Sequence, residues 1–417
     1  MKDQYDCLVI GGGPGGCTTA ALVAAAGHST LLVEREKLPR YHIGESLMPE
    51  TYWTLQRLGV LETMKSSNFV KKFSVAFVSH TGAESNPFYF KEHDPRECSQ
   101  TWQVERAGFD KMLFDNAAEK GADCADETRV LDVRFEGDRA IGAKVQKQGE
   151  EPREILATIV VDATGQQALL ANRLGLKVDY PDLKKVAIWG YYRNATRDPG
   201  EHGGATIIMH TNEKKSWFWY IPLQDGITSI GVVGNRDYLL KDRGTPEDIF
   251  EDELVKCPAL VDRLMNAELT SEFRVAKEFS YRTTQHAGDG WVLVGDAWGF
   301  IDPIYSSGVY FALKSGEHAA DAIIDALKIG DTSAKQLSRW VDDFHSGTKW
   351  IRKLVDAYYT NEFSFGRFMK AHPEHKSNLT DLLIGRIFYD GAGKIFEDMV
   401  PELEAAKQEA ASSSTSG

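Results

Sequence analysis

The chain has 417 residues, of which 42% are hydrophobic, 11% aromatic and 26% charged. This composition is typical of a globular protein of two or three domains and excludes collagen-like, coiled-coil and disordered chains. The net charge of −13 argues against generic nucleic-acid binding, because that function needs a positive surface.

The beginning of the chain and its cysteines favour a cytoplasmic protein. Residues 1–6 lead straight into an apolar strand, without the small-residue cleavage site of a signal peptide. The longest apolar runs are far shorter than the roughly 20 residues of a membrane helix. The five cysteines, at positions 7, 17, 98, 124 and 257, are widely spaced and predict neither a disulfide framework nor a metal site.

The first predicted element is a buried parallel strand at residues 7–10, which runs directly into a glycine-rich turn at residues 11–16. An Ala-rich helix over residues 18–26 and a second strand over residues 29–33 follow, and Glu34 ends the unit. This order is the dinucleotide-binding fingerprint. An acid at this position favours an unphosphorylated ribose, so FAD or NAD rather than NADP.

Each residue type in this unit has a defined task at a dinucleotide. Gly11 permits the tight turn, Gly13 lets the backbone approach a pyrophosphate, and Gly16 lets the helix and the strand pack closely. The N-terminus of the helix offers free N–H groups to the phosphates. The Glu34 carboxylate is expected to accept hydrogen bonds from the ribose hydroxyls.

Two later strands end in the same way. Residues 159–161 lead into Asp162 and a glycine turn, and residues 291–294 lead into Gly295 and Asp296. The carboxyl ends of parallel strands meet at one sheet edge, where α/β folds bind ligands. The combination resembles the FAD-dependent oxidoreductases of the p-hydroxybenzoate hydroxylase type. This resemblance implies that Asp296 binds the ribityl chain, that Arg106, in an Arg-x-x-Phe-Asp element, lies by the flavin, and that Val130 contacts adenine.

The same resemblance implies the fold class and the domain boundaries. The fold is expected to be α/β, with a Rossmann-like FAD-binding domain, an inserted mixed β-sheet substrate domain and a helical C-terminal region. The FAD-binding domain is discontinuous, at residues 1–65, 104–175 and 275–330. The β-rich substrate domain takes residues 66–103 and 176–274. Helices follow at 331–401, including 336–359 and 379–387, and the acidic segment 402–417 is predicted to be a disordered tail.

The most unusual stretch is residues 216–222, which read Ser-Trp-Phe-Trp-Tyr-Ile-Pro. On a strand, Trp217, Trp219 and Ile221 share one face, as they would in ordinary sheet core. The full Trp-x-Trp-x-Ile-Pro pattern resembles the signature of the flavin-dependent halogenases. The resemblance implies a hypothesis for the two indoles, a rigid apolar wall that keeps the substrate from the flavin and suppresses direct hydroxylation.

Two further segments resemble that family. Residues 300–308 fit Phe-x-x-Pro-x-x-Ser-x-Gly, in which the backbone N–H groups at Ser307 and Gly308 are expected to bind the halide, as successive N–H groups form an anion nest. Residues 43–46, Ile-Gly-Glu-Ser, resemble a stretch beside the flavin ring that prenyl-lipid reductases share. With the residues already named, the expected FAD contacts are Pro14, Gly15, Arg35, Arg40, Gly44, Glu45, Ser46, Asp162, Pro303, Ser306 and Gly308.

The family's catalytic lysine is matched by Lys72, in Lys-Phe-Ser-Val-Ala-Phe, with Ser74 where glycine is usual. Lys71 would point to the opposite face of the strand and stays an alternative. Either lysine could instead be a solvated residue at a strand edge. A buried Lys72 would hydrogen-bond hypohalous acid or, as the neutral amine, form a chloramine.

Two positions depart from the tryptophan-halogenase branch. That branch has a glutamate where this chain has Tyr305, and a tyrosine cannot supply the carboxylate. Phenols, or pyrroles tethered to carrier proteins, are therefore the expected substrates. Trp298 stands where a small residue is usual, and the sequence gives no reason for it.

We therefore predict an FADH2-dependent halogenase of secondary metabolism. Reduced FAD and O2 would give a C4a-hydroperoxide that converts chloride or bromide into hypohalous acid, and Lys72 would direct the halogen to a phenolic or pyrrole-type ring. The expected partners are a separate flavin reductase and a small aromatic substrate. A free phenol is preferred over a carrier-bound ring, because acyl carrier proteins are acidic and this chain is acidic too. The oligomeric state stays open between monomer and homodimer. The alternatives are an FAD-dependent aromatic monooxygenase, a prenyl-lipid reductase, or an FAD-binding homologue that has lost halogenation.

Overall fold

The computed structural model describes residues 1–414, which form two large β-sheets and the helices around them. Most of the strands belong to these two sheets. In chain order the strands are β1 (Gln4–Ile10), β2 (Thr30–Val33), β3 (Val70–Lys72), β4 (Ser74–Val78), β5 (Phe88–Tyr89), β6 (Thr101–Gln103), β7 (Asp123–Ala125), β8 (Thr128–Glu136), β9 (Arg139–Lys147), β10 (Arg153–Asp162), β11 (Lys177–Asp179), β12 (Lys185–Arg193), β13 (Thr206–His210), β14 (Ser216–Pro222), β15 (Ile227–Asn235), β16 (Glu268–Leu269), β17 (Arg274–Lys277), β18 (Tyr281–Thr283), β19 (Ala287–Gly288), β20 (Trp291–Leu293) and β21 (Gly299–Phe300).

The helices cover the first sheet and form the C-terminal part of the chain. In chain order they are α1 (Pro14–Ala25), α2 (Thr51–Leu58), α3 (Leu61–Ser66), α4 (Phe90–His93), α5 (Arg106–Glu119), α6 (Leu169–Arg173), α7 (Arg236–Leu240), α8 (Pro246–Leu254), α9 (Pro258–Leu264), α10 (Ser307–Ile329), α11 (Ala334–Leu337), α12 (Val341–Tyr359), α13 (Phe365–Ala371), α14 (Lys376–Ile384) and α15 (Ile395–Ser414). Within residues 1–414 no helix combines the length and the hydropathy needed to cross a bilayer.

The first sheet is parallel at its centre, in the order β20, β10, β1, β2 and β7. Its central strands are buried on both faces, which explains their continuous apolar runs. The register pairs Ile10 with Asp162 on one side and with Val33 on the other, and Asp162 with Leu293. The strand ends predicted to converge therefore lie side by side at one edge.

The second sheet is mostly antiparallel, in the order β16, β12, β15, β14, β13, β4 and β5, with β17 also paired to β12. Alternation along β14 separates two cores. Trp217, Trp219 and Ile221 face the main core shared with the first sheet, whereas Phe218 and Tyr220 face a smaller core. Strand β17 begins at Arg274, so the second sheet extends past the boundary predicted at residue 274.

The C-terminal region differs from the sequence prediction in three places. The helix expected over residues 379–387 is α14, which begins at Lys376 and ends at Ile384. The helix expected over residues 336–359 is divided into α11 and α12, and the second starts at Val341. Helix α15 continues through residues 402–414, where a disordered tail was expected, and residues 415–417 lie outside the described part. The physical reason is that this segment is rich in Ala, Glu, Gln and Lys, which are strong helix formers. Leu403 is buried, and Lys407 pairs with Asp356 of α12 at 3.0 Å.

Candidate active site

A cavity of about 390 Å³ lies where the parallel strands of the first sheet end. It extends from the glycine turn before α1 to the second sheet. The predicted residues that line it are Gly11, Gly13, Pro14, Gly15, Glu34, Arg35, Arg40, Gly44, Arg106, Val130, Trp219, Asp296, Pro303 and Gly308. The predicted residues outside its lining are Gly16, Glu45, Ser46, Lys72, Asp162, Trp217, Ser306 and Ser307.

The glycine turn has the geometry that a dinucleotide requires. Gly11 has φ +112°, and a Cβ there would lie 2.3 Å from the carbonyl oxygen of Ala163. A Cβ on Gly16 would lie 1.9 Å from the carbonyl oxygen of Gly11. Gly13 instead faces open space, with the Arg40 guanidinium as the nearest group at 3.8 Å. The turn therefore fits the pyrophosphate of FAD beside the N–H groups at the start of α1.

A buried ion network holds the charged residues of the cavity. The Arg40 guanidinium contacts Asp110 at 2.7 Å and Glu34 at 3.4 Å. Arg106 donates two hydrogen bonds to Asp110, at 2.8 and 3.0 Å, and a third to the carbonyl oxygen of Ile43 at 2.7 Å. Burial alone would raise the pKa of Asp110, but the charges of Arg106 and Arg40 hold that pKa below its usual value. Arg106 is thereby fixed at the cavity wall.

Glu34, which contacts Arg40 in this network, also lies at the end of the βαβ unit, directly after β2. One carboxylate oxygen of Glu34 accepts a hydrogen bond from the backbone N–H of Gly12 at 2.9 Å, and the other accepts from Glu36 at 3.0 Å. These bonds keep the carboxylate at the end of β2, where it lines the cavity. An acid held here suits the ribose hydroxyls of FAD.

The two later acids have different positions. Asp296 lines the cavity, and burial raises the pKa of its carboxyl to about 7. Asp162 is fully buried, and its oxygens accept hydrogen bonds from the backbone of Thr164 and Leu170 at 3.0 and 2.7 Å. Asp162, a predicted FAD contact, therefore does not line the cavity. It holds the loop at residues 163–169 in place, and several residues of that loop line the cavity.

The predicted halide segment forms the start of the longest helix described, α10. Ser306 has φ +58° and precedes the helix, and Ser307 and Gly308 are its first two residues. Their N–H groups therefore have no partner within the helix, which is the usual state of a helix N-terminus. The positive end of the helix dipole adds to the attraction for an anion. A Cβ on Gly308 would lie 3.1 Å from the ring of Phe300, so a side chain there would crowd this ring.

The two indoles of the Trp-x-Trp motif take different positions. Trp219 lines the flavin cavity and donates a hydrogen bond to the Ser229 hydroxyl at 3.1 Å. Trp217 lies behind it, with ring centroids 6.4 Å apart, and donates to the Tyr359 hydroxyl at 3.0 Å. Tyr359 in turn donates to Asp302 at 3.1 Å. The two indoles therefore form one apolar wall. Trp217 is linked through Tyr359 to Asp302, which belongs to the predicted halide segment at residues 300–308.

The two candidate lysines, Lys71 and Lys72, differ in their exposure to solvent. Lys72 is 4% exposed, whereas Lys71 is exposed to solvent. The Lys72 amine donates to the Ser46 hydroxyl at 2.8 Å and to the Leu47 carbonyl oxygen at 3.1 Å. Its partners are neutral, and burial lowers the pKa of Lys72 to about 7. Ser46 also contacts the Thr206 hydroxyl at 2.8 Å, which joins Lys72 to the sheet face that carries the indoles.

Tyr305 and Trp298, the two residues that depart from the tryptophan-halogenase pattern, are both buried. The Tyr305 hydroxyl donates to the Leu354 carbonyl oxygen of α12 at 3.3 Å. Trp298 stacks on His286 with centroids 5.0 Å apart and also contacts His345 of α12. Trp298 therefore joins the first sheet to the C-terminal helices, which is the packing role that the sequence did not reveal.

Sequence reasoning missed an aromatic group on the second sheet. Trp189 and Tyr41 line the cavity, and the Trp189 indole donates to the Tyr41 hydroxyl at 2.7 Å. The Tyr191 hydroxyl donates to Glu45 at 2.6 Å. Burial raises the pKa of the Glu45 carboxyl to about 7, and its second oxygen has no partner. The spacing of two between Trp189 and Tyr191 was a signal that they share a strand face.

Comparisons with known proteins show which proteins this chain is similar to. The sequence profile of the tryptophan halogenase family matches residues 6–93 and 84–379. A 1H-pyrrole-2-carbonyl-(peptidyl-carrier protein) chlorinase of Pseudomonas fluorescens is 33% identical, with 97% of this chain and 94% of the relative covered. The corresponding brominase of Pseudoalteromonas luteoviolacea is 30% identical, with 92% and 93% covered. The solved structure of the flavin-dependent brominase Bmp2 has a TM-score of 0.86 and 29% identity, and the match covers 96% of this chain and 99% of that one.

Proposed function

We propose that this chain, which belongs to the tryptophan halogenase family, halogenates a pyrrole ring presented as an acyl thioester on a carrier protein. The membership confirms the prediction of an FAD-dependent halogenating enzyme. The substrate class is the further step. Its support comes from two relatives, matched over nearly their full length, whose names give a pyrrole-2-carbonyl group on a peptidyl-carrier protein.

The observation that carries the proposed mechanism is the burial of Lys72. With a pKa of about 7 and neutral partners at Ser46 and Leu47, a large share of its amine is uncharged near neutral pH. A neutral amine is nucleophilic, whereas an ammonium is not. Lys72 can therefore attack hypohalous acid, form an N–halogen bond and release water. When the ring then takes the halogen, the ring proton passes to the nitrogen and the amine is restored.

The remaining residues bind and separate the reactants. The N–H groups of Ser307 and Gly308 would hold the halide at the start of α10. Bound FADH2 supplies the electrons with which O2 is reduced while the halide is oxidised. Trp219 lies between the flavin cavity and Trp217, so the organic substrate stays away from the isoalloxazine. The sequence carries one dinucleotide fingerprint, at residues 11–16, which supports delivery of FADH2 by a separate flavin reductase.

Tyr305 supports a small apolar ring as the substrate. A carboxylate at this position could pair with a polar substrate group, but Tyr305 presents a buried aromatic ring whose hydroxyl bonds to backbone. Tyr358 packs edge-on against it at 6.3 Å. A substrate placed beside Tyr305 would meet an aromatic surface, which suits a pyrrole ring better than an amino acid with its two charges.

The test is a turnover assay with FADH2, O2 and bromide. Pyrrole-2-carbonyl loaded on a carrier protein is compared with a panel of free phenols, and mass spectrometry detects the two bromine isotopes. We expect bromination of the carrier-bound ring and a loss of at least about 10²-fold in Lys72→Ala. The matched control is Lys71→Ala, which should keep full activity.

Two outcomes would contradict the proposal. Bromination of phenols alone would replace the carrier-bound pyrrole with a free phenolic substrate. Product formation that is unchanged in Lys72→Ala would remove the lysine from the mechanism. Monochlorodimedone is added in parallel to trap hypobromous acid that leaks from the enzyme, so that uncatalysed bromination in solution is measured separately.

A further inference from the structure

A second cavity, of about 380 Å³, lies on the far side of Trp217 from the flavin. Trp217 and the aromatic rings of Tyr358 and Tyr359, at the end of α12, form part of its wall. His210, at the end of β13, and Lys214, in the following turn, also line it. The cavity thus joins the end of α12 to the open end of the second sheet.

The charge of this cavity is opposite to that of the chain. Lys185, Lys214 and Lys215 line it, and among the described residues no carboxylate does, although the chain carries a net charge of −13. The Lys185 amine lies 3.7 Å from the ring centroid of Tyr359. Lys215 pairs with Glu213 at 2.9 Å, outside the lining, while Lys214 makes no ion pair with the side chains described, those of residues 1–408. Three ammonium groups around one cavity favour an anionic ligand.

Two buried polar atoms at this cavity have no hydrogen-bond partner. They are Nδ1 of His210 and the hydroxyl of Tyr358, whose rings stack with centroids 4.9 Å apart. Buried polar groups in native proteins are nearly always hydrogen-bonded, so these two atoms lack the partners that such groups normally have. The cavity therefore combines cationic groups with unsatisfied polar atoms, which fits an anion carried on a polar chain.

The position of the cavity relative to Lys72 determines the length of that ligand. Lys72 is joined through Ser46 to Thr206, which begins strand β13, and His210 ends the same strand. Four residues separate them on one sheet face, which corresponds to about 13 Å. A single small ring cannot contact both places. A ligand with an anionic group at one end and a reactive ring at the other can do so.

We propose that the cavity formed by His210, Lys214, Lys215 and Tyr358 binds the phosphate and adjoining amides of a phosphopantetheine tether. This inference rests on the proposed function, because it assumes that the ring arrives on a carrier protein. The tether extends from the cavity and presents its thioester-linked ring toward Lys72, a route that requires the packed side chains of Thr206 and Ile208 on this face of β13 to move aside. Trp217, bonded through Tyr359 to Asp302, separates the tether from the flavin side.

The first test is direct binding, which needs no turnover. Phosphopantetheine, pantetheine and inorganic phosphate are titrated separately into the FAD-loaded protein by calorimetry. We expect phosphopantetheine to bind at least about tenfold more tightly than pantetheine, and inorganic phosphate to compete with it. The double variant Lys214→Gln/Lys215→Gln should abolish this preference, and the exposed Lys241→Gln should preserve it. Equal binding of the two tethers, or a preference that survives in the double variant, would overturn the phosphate site.

The second test separates this inference from the proposed function. With carrier-loaded pyrrole, the double variant should raise KM about tenfold and leave kcat unchanged, because the lysines bind the tether and do not touch the reacting ring. If KM rises while phosphopantetheine binding is unchanged, the lysines contact the carrier surface and the phosphate site is wrong. If the wild-type protein turns over only free phenols, the proposed function fails, and the calorimetry still decides the site.

Discussion

Replacing Lys72 by methionine should stabilise the protein at low pH and have little effect at high pH. The substitution keeps an unbranched side chain, one atom shorter than lysine, and removes the amine. Lys72 is 4% exposed, and burial lowers the pKa of its amine from 10.5 to about 7. Between these two values the unfolded chain holds a proton on Lys72 that the folded chain has lost. The free energy of unfolding of the wild type therefore rises with pH across this window.

The magnitude follows from the two pKa values. They differ by about 3.5, and each unit corresponds to about 1.36 kcal/mol, so the burial of Lys72 costs about 5 kcal/mol at pH 6. At pH 9 about 2 kcal/mol of this cost remains. The hydrogen bonds to Ser46 and Leu47 offset it by about 1 kcal/mol each. Lys72→Met should thus be about 3 kcal/mol more stable at pH 6 and nearly equal to the wild type at pH 9.

The assay is urea unfolding at pH 6, 7.5 and 9, followed by circular dichroism. The shift in the urea midpoint between the two proteins is converted with one common slope. Lys71→Met is the matched control, because Lys71 is solvent-exposed and should give no pH-dependent difference. A difference for Lys72→Met that does not change with pH, or a destabilised variant at pH 6, would refute the argument that Lys72 is held uncharged by burial.

Three further predictions concern the flavin cavity and its surroundings. Gly16→Ala places a methyl group 1.9 Å from the Gly11 carbonyl oxygen. This clash should lower the free energy of unfolding by roughly 1–3 kcal/mol and weaken FAD binding about tenfold or more. Flavin absorbance after gel filtration measures the FAD that stays bound. Normal flavin content would show that the turn tolerates a side chain. Arg106→Met leaves the Asp110 carboxylate with Arg40 as its remaining partner. The free energy of unfolding should fall by about 3 kcal/mol. Thermal unfolding measures this loss, and an unchanged Tm would contradict it. Tyr305→Phe loses one 3.3 Å hydrogen bond and should cost about 1 kcal/mol or less while halogenation persists, whereas loss of activity with intact FAD binding would give the hydroxyl a chemical role.

The sequence was informative wherever function depends on local backbone geometry. In the turn at residues 11–16, Gly16 packs on the Gly11 carbonyl oxygen five residues away, and one helix and one strand fix the spacing of the turn from Glu34. The close approach of Gly11 to the distant Ala163 is visible only in the structure. The same holds for Ser307 and Gly308, which begin α10 as a halide nest would require. Alternation along residues 216–222 placed Trp217 and Trp219 on one face, and β14 has that arrangement.

The sequence was less informative wherever a residue's role depends on distant neighbours. Asp162 ends its strand as predicted, yet its oxygens are taken up by the next loop and it does not line the cavity. The acidic composition and the Ser-rich end suggested a disordered tail after residue 401, although helix propensity and the contact of Lys407 with α12 favour a helix there. Trp298 had no explanation until α12 was seen to pack against it.

By itself the sequence determined the cofactor class, the order of the elements and the two segments expected to hold the flavin and the halide, because each of these depends on residues that are close together in the chain. The tertiary structure decided which lysine is buried, since the exposure of Lys72 depends on Ser46, Leu47 and the second sheet. It also decided that His210, Lys214 and Tyr358 meet in one cavity behind Trp217. These residues come from β13, the turn after it and α12, and only packing of the C-terminal helices against the second sheet brings them together.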